Sequence, residues 1–174
     1  RGINPPDIIC GIAASGRTPF VRGALDEANK RGIFTVFVTT GSEKNIIDLK
    51  IKADVIINPQ VGPEAIAGST RMKSGTAQKL VLNMLTTASM VLLGKTYGNI
   101  MVDLQLTNAK LKERAKRTLM SITGINYDEA EKHLRDSGGH VKTALVMILA
   151  DVNSEEAAKR LEEANGFVRK ALRS

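Results

Sequence analysis

The chain has 174 residues, a formal net charge of +7, and an aliphatic composition of 43% hydrophobic and only 3% aromatic residues, with no tryptophan. That hydrophobic share suffices for a packed core and excludes a disordered chain, and the length fits one domain or one domain with a small appendage. The scarcity of aromatics argues against a single-stranded nucleic-acid surface, which stacks bases on aromatic rings.

Residues 7–13, DIICGIA, form an apolar, β-branched run between Pro5-Pro6 and Ser15-Gly16, which predicts a buried parallel strand. Pro19 suits a first helical position, and PFVRGALDEANKR carries helical spacing up to Gly32. A second buried strand is predicted over 33–39, a short helix over 45–51 and a third strand over 54–58. A polar loop over 59–75 follows, then a long, apolar, buried helix over 76–93. This alternation predicts a doubly wound α/β domain with a parallel sheet, whose ligands bind beyond the carboxyl ends of the strands.

Beyond Asn108 the strand signal stops. One amphipathic helix is predicted over 109–122, and three shorter ones over 128–137, 141–149 and 154–165, the last with Ser154 as its N-cap. Residues 1–123 are therefore read as the α/β domain with its closing helices, and residues 124–174 as a small all-α C-terminal domain.

Much of the positive charge sits on one helix, at Lys110, Lys112, Arg114, Lys116 and Arg117, in the manner of a solvated face. No zinc-finger or helix-turn-helix signature accompanies it, so no nucleic-acid partner is expected. The longest apolar run, 80–93, is interrupted by Asn83 and falls short of the ~20 residues of a membrane span, so no membrane partner is expected either. The lone Cys10 gives no disulfide framework and points to a reducing compartment. His133 and His140 have no carboxylate or cysteine at ligand spacing, and no metal is expected.

Two loops carry the chemistry. Ser15, Gly16, Arg17 and Thr18 lie between a strand and a helix start, where free backbone N–H groups and hydroxyls can cradle a phosphate. The plainer alternative is a glycine turn with a capping hydroxyl. In the second loop Glu64 follows the rigid Gly62-Pro63 turn, where a carboxylate can take a proton from a sugar carbon or hold its hydroxyls. The alternative is a surface glutamate paired with Arg71 or Lys73. The run Ser69-Thr70-Arg71-Met72-Lys73-Ser74 can cap the long helix and bind phosphate or sugar hydroxyls together. Among Asn99, Asp103, Gln105 and Asn108, structural hydrogen bonding is the expected role.

The segments GIAASGRTP, VGPEAIAGSTRMKSGTAQKLVLNML and GKTYGNIMVDLQLTNAKLKER closely resemble the N-acetylmuramic acid 6-phosphate etherases, enzymes of cell-wall sugar recycling with the sugar isomerase (SIS) fold. The resemblance implies cleavage of the lactyl ether to N-acetylglucosamine 6-phosphate and D-lactate, by elimination and then water addition. Carboxylates would serve as acid and base, without metal or cofactor. It implies a cytoplasmic homodimer acting on a small phosphosugar. Ser15, Gly16, Arg17 and Thr18 look like the fold's second phosphosugar loop, Glu64 occupies the GPE position as candidate catalytic carboxylate, and Ser69, Thr70 and Lys73 line the same pocket.

The family also carries an earlier strand with a GTSGR-type loop and the glutamates assigned to the acid and base roles. Neither occurs in these 174 residues, so the chain is expected to hold about half of an active site and to be inactive alone. Two rivals stand beside the etherase. One is a non-catalytic phosphosugar-binding regulator of the glucokinase regulatory protein type. The other is a helical interaction module, because residues 124–174 resemble a small ubiquitin-associated-type domain.

Overall fold

The structure is a computed structural model that describes residues 2–173. Its chain order begins β1 (Ile8–Ile12), α1 (Pro19–Lys30), β2 (Phe34–Val38), α2 (Glu43–Asp48), β3 (Val55–Ile57) and α3 (Lys73–Leu92). It continues with a hairpin, β4 (Thr96–Tyr97) and β5 (Ile100–Met101), and then α4 (Ala109–Thr123), α5 (Tyr127–Asp136), α6 (Val141–Ala150), α7 (Ser154–Glu163) and α8 (Val168–Ala171). The chain divides into two compact units, Arg1–Leu85 and Thr86–Ser174.

The first unit is the predicted α/β arrangement: a parallel sheet of order β1-β2-β3, with Gly11 opposite Phe37 and Val38 opposite Ile57. Alternation along β1 turns Ile9, Gly11 and Ala13 toward α1, where they meet Val21, Leu25 and Phe37 in a small core. Gly11 permits the close approach, since a Cβ there would stand 2.9 Å from Val21 Cγ1 and 3.0 Å from Leu25 Cδ1. At the amino ends of the strands, Asp54 ties β3 to β2. Its Oδ2 accepts the Thr35 amide at 2.7 Å and the Thr35 hydroxyl at 2.8 Å. These bonds hold the Asp54 carboxyl below its ordinary range.

The expectation of strands buried on both faces is corrected. Ile8, Ile12, Phe34 and Val55 share the sheet face opposite α1, and all are exposed, as is Cys10. The expectation of a buried long helix is corrected too, because only Ser74 and Val81 of α3 are buried. A continuous apolar run fixes the element type, but burial depends on what is packed against it.

In the second unit, Gly98 at φ 61° opens a two-residue turn joining the antiparallel β4 and β5, a hairpin the sequence reading passed over. The helices close on Val102, Ala115, Leu119, Ala130, Leu134, Leu145, Val146, Leu161 and Val168. α4 contributes Ala115 and Leu119 to that core. Three asparagines start the helices: Asn108, Asn126 and Asn153 each accept the N3 amide of α4, α5 and α7. Asn153, not Ser154, is therefore the cap of α7. Across α4 and α5, Lys116 donates to Glu131 and to Tyr127 Oη, and Tyr127 Oη donates to Glu113. His140 is the N-cap residue of α6.

Candidate functional site

Within the first unit, the loops that follow the three parallel strands gather at one sheet edge. After β1, the Gly16 amide donates to Ala13 O at 3.1 Å and the chain turns at Gly16 with φ 74°. A side chain there would be strained by the left-handed backbone and would press on Ile51 at 3.3 Å. The Ser15 hydroxyl accepts the Arg17 amide at 3.4 Å. Thr18 is the N-cap of α1, yet its side chain makes no bond to the helix amides, and Pro19 takes the first helical position. Thr18 and Arg17 are both exposed at a helix start, where unpaired N–H groups favour an anion.

The loop after β2 braces this turn, which sequence reasoning missed. The Thr39 and Thr40 hydroxyls both donate to Ala14 O, at 3.0 and 3.2 Å, and the Thr40 amide reaches the same oxygen at 3.0 Å. The Gly41 amide donates to Thr39 Oγ1, and a Cβ on Gly41 would sit 3.3 Å from Ser15 O. The signal was present in Thr39-Thr40-Gly41 at a strand end, where short hydroxyls return bonds to backbone.

The loop after β3 brings Glu64 to the start of α3. Its Oε2 accepts the Lys73 amide and its Oε1 the Ser74 amide, both at 3.1 Å, while Lys73 Nζ donates to Pro63 O at 2.7 Å. The Lys73 amide foremost keeps the Glu64 carboxyl below its usual range, with the Ser74 amide and the Lys73 charge adding to it, against partial burial. This cap starts α3 at Lys73, three residues earlier than predicted. Ser69 accepts the Arg71 amide at 3.2 Å, and Thr70 is exposed beside it. An open depression of ≈ 460 Å³ is lined by Val61, Met72, Lys73, Thr76 and Ala77.

Ser15, Gly16, Arg17 and Thr18 thus sit on one strand-to-helix turn, and Glu64, Ser69, Thr70 and Lys73 on one closed loop at the same sheet edge. In the second unit a larger depression of ≈ 540 Å³ follows the α4 face of Lys110, Arg114 and Arg117, where Glu113 already pairs with Arg117. Among the described residues no cluster of His, Cys, Asp and Glu could hold a metal, and no helix is long and apolar enough to cross a membrane.

No protein-family model matches the chain. It is 59% identical over 151 residues to a protein of Salinibacter ruber named N-acetylmuramic acid 6-phosphate etherase, a span that covers 86% of this chain and 48% of the relative. Proteins of the same name from Clostridioides difficile and Symbiobacterium thermophilum are 53% and 52% identical over 148 residues each, 85% of this chain and 48% of theirs. The chain spans about half the length of the curated relatives it matches.

Proposed function

We propose, for a chain whose matched span belongs to the N-acetylmuramic acid 6-phosphate etherase family, that the protein carrying it cleaves the lactyl ether of N-acetylmuramic acid 6-phosphate. The products are N-acetylglucosamine 6-phosphate and D-lactate, formed by elimination and hydration. The observation that carries the reading is the turn after β1. Its Thr18 hydroxyl is not spent on the helix, Arg17 stands exposed beside it, and Thr39 and Thr40 hold it in place through Ala14 O. The phosphate lies at Ser15, Gly16, Arg17 and Thr18, and the sugar hydroxyls meet Ser69 and Thr70. Lys73, tied to Pro63 O, lends its charge to the same edge.

In this reading the first unit is a sugar isomerase-type domain, supported by its parallel β1-β2-β3 order. The helices after Gly124 form a small packing module without substrate contact, and the protein works as a cytoplasmic homodimer, as the family resemblance implies. A non-catalytic phosphosugar regulator is the second reading. Glu64 favours it, because both carboxylate oxygens are engaged by helix amides rather than left to move protons.

The test is D-lactate release from N-acetylmuramic acid 6-phosphate by the protein that carries this sequence, and its loss in Ser15→Ala combined with Thr18→Val. Each hydrogen bond to a charged group is worth about 1.5–3 kcal/mol, so substrate binding falls steeply. Phosphosugar binding without lactate release decides for the regulator. Lactate release unchanged by the double substitution removes these residues from the site. The 174-residue chain alone is expected to release no lactate above background, since the GTSGR-type loop and the glutamates that the resemblance assigns to the acid and base roles do not occur in it.

A further inference from the structure

We infer that Glu64 is a positioning residue of this site: its carboxylate latches the 63–72 loop onto the first turn of α3, and so sets where Ser69 and Thr70 present their hydroxyls. The inference rests on the phosphosugar reading of the preceding subsection and gives Glu64 a role other than proton transfer.

The geometry is that of a closed loop. Two neighbouring residues, Pro63 and Glu64, are bonded to two neighbouring residues, Lys73 and Ser74, by three contacts: two amides on the carboxylate at 3.1 Å and the Lys73 ammonium on Pro63 O at 2.7 Å. The segment between them is folded on itself. The Ser69 amide donates to Ile66 O, the Arg71 amide to Ser69 Oγ, and the Gly75 amide to Thr70 O. Gly62 and Gly68, at φ 68° and 81°, supply its corners. Little apolar packing holds it, because Ile66 and Met72 are 72% and 62% exposed. The loop's shape therefore depends on polar ties, and the carboxylate makes two of them.

The chemistry follows from what those amides would otherwise do. The first N–H groups of a helix lack intrahelical partners and draw an anion. Here the anion is supplied from within the chain, so a substrate phosphate finds the start of α3 already occupied. The turn of Ser15, Gly16, Arg17 and Thr18 has no such occupant. Glu64 thereby sorts the two hydroxyl-rich loops, one for the phosphate and one for neutral hydroxyls.

Amide hydrogen exchange on the 174-residue chain tests the latch without any activity. In Glu64→Ala the Lys73 and Ser74 amides should both exchange faster by about tenfold or more, the weight of a hydrogen bond to a charged group, and trypsin should cut faster after Arg71. Glu64→Gln retains one acceptor oxygen, so one of the two amides should stay protected. Unchanged exchange in Glu64→Ala overturns the inference. If that variant does not fold, equal protection of both amides in Glu64→Gln overturns it.

A second readout separates positioning from proton transfer. In the protein that carries this sequence, Glu64→Gln should raise KM and leave the pH profile of kcat in place. A kcat that loses its basic or acidic limb with KM unchanged assigns Glu64 to acid–base work and overturns the inference. Absence of lactate release by the wild type strikes the etherase reading instead, and the exchange result still decides the latch.

Discussion

In the helical unit Val102, Ala115, Leu119, Ala130, Leu145 and Val146 have no exposed surface, and fifteen buried residues join in one core. In the α/β unit the corresponding core holds Ala13, Leu25 and Phe37, while Ile8, Phe20 and Phe34 are 61%, 85% and 47% exposed. The two units thus hold themselves differently. Apolar packing fixes the helices, whereas the loops that carry the candidate site are braced by polar bonds from Thr39, Thr40 and Glu64. Polar braces suit a site better than packing does, because they fix backbone groups and hydroxyls while leaving the surface open to a ligand.

The contrast can be broken most forcefully at Leu119. Leu119→Ala removes a fully enclosed side chain and should cost about 2–5 kcal/mol, read as a lower denaturation midpoint of the helical unit. A cost near zero would mean that this core is not the source of the unit's stability. Gly11→Ala probes the α/β unit's closest packing, where the new Cβ would meet Val21 and Leu25. The expected loss is about 1–3 kcal/mol, by thermal or urea melting. Asn126→Ala removes the side chain that accepts the Glu129 amide at 2.9 Å in a reciprocal capping box, and should cost about 1 kcal/mol. Leu92→Ala, on a residue 77% exposed, should change stability by less than about 0.5 kcal/mol. A Leu92 effect equal to that of Leu119 would show that the apolar face of α3 is covered in solution, and the contrast would fail.

Acid should act on the polar braces. Glu64 titrates below its unfolded value in the folded chain, so its contribution is present above the unfolded pKa and fades as the pH falls through the folded one. The Lys73 and Ser74 amide resonances should follow that titration together. Independence of the two amides from acid would contradict the hydrogen bonds that define the cap.

The strand, helix, strand order was legible because DIICGIA, IFTVFVT and DVIIN are apolar, β-branched and bounded by turn residues. Helix starts were legible where the cap is local, as at Asn108, but not at α3, whose cap is nine residues upstream in sequence. Burial was not legible: the same apolar pattern describes Val38, fully enclosed, and Ile8, largely open. At the candidate site, residues 15–18 and 69–73 declared themselves by hydroxyls beside glycines. Thr39 and Thr40 stayed hidden because their partner, Ala14 O, is a backbone atom 25 and 26 residues away.

The central claim, that the turn after β1 receives a sugar phosphate, is tested most directly by titrating N-acetylglucosamine 6-phosphate into the 174-residue chain while following backbone amide resonances. The account predicts saturable shifts at Gly16, Arg17 and Thr18, abolished by Ser15→Ala with Thr18→Val and absent with unphosphorylated N-acetylglucosamine. Shifts confined to Lys73 and Ser74, or no response at the Gly16 turn, would contradict it.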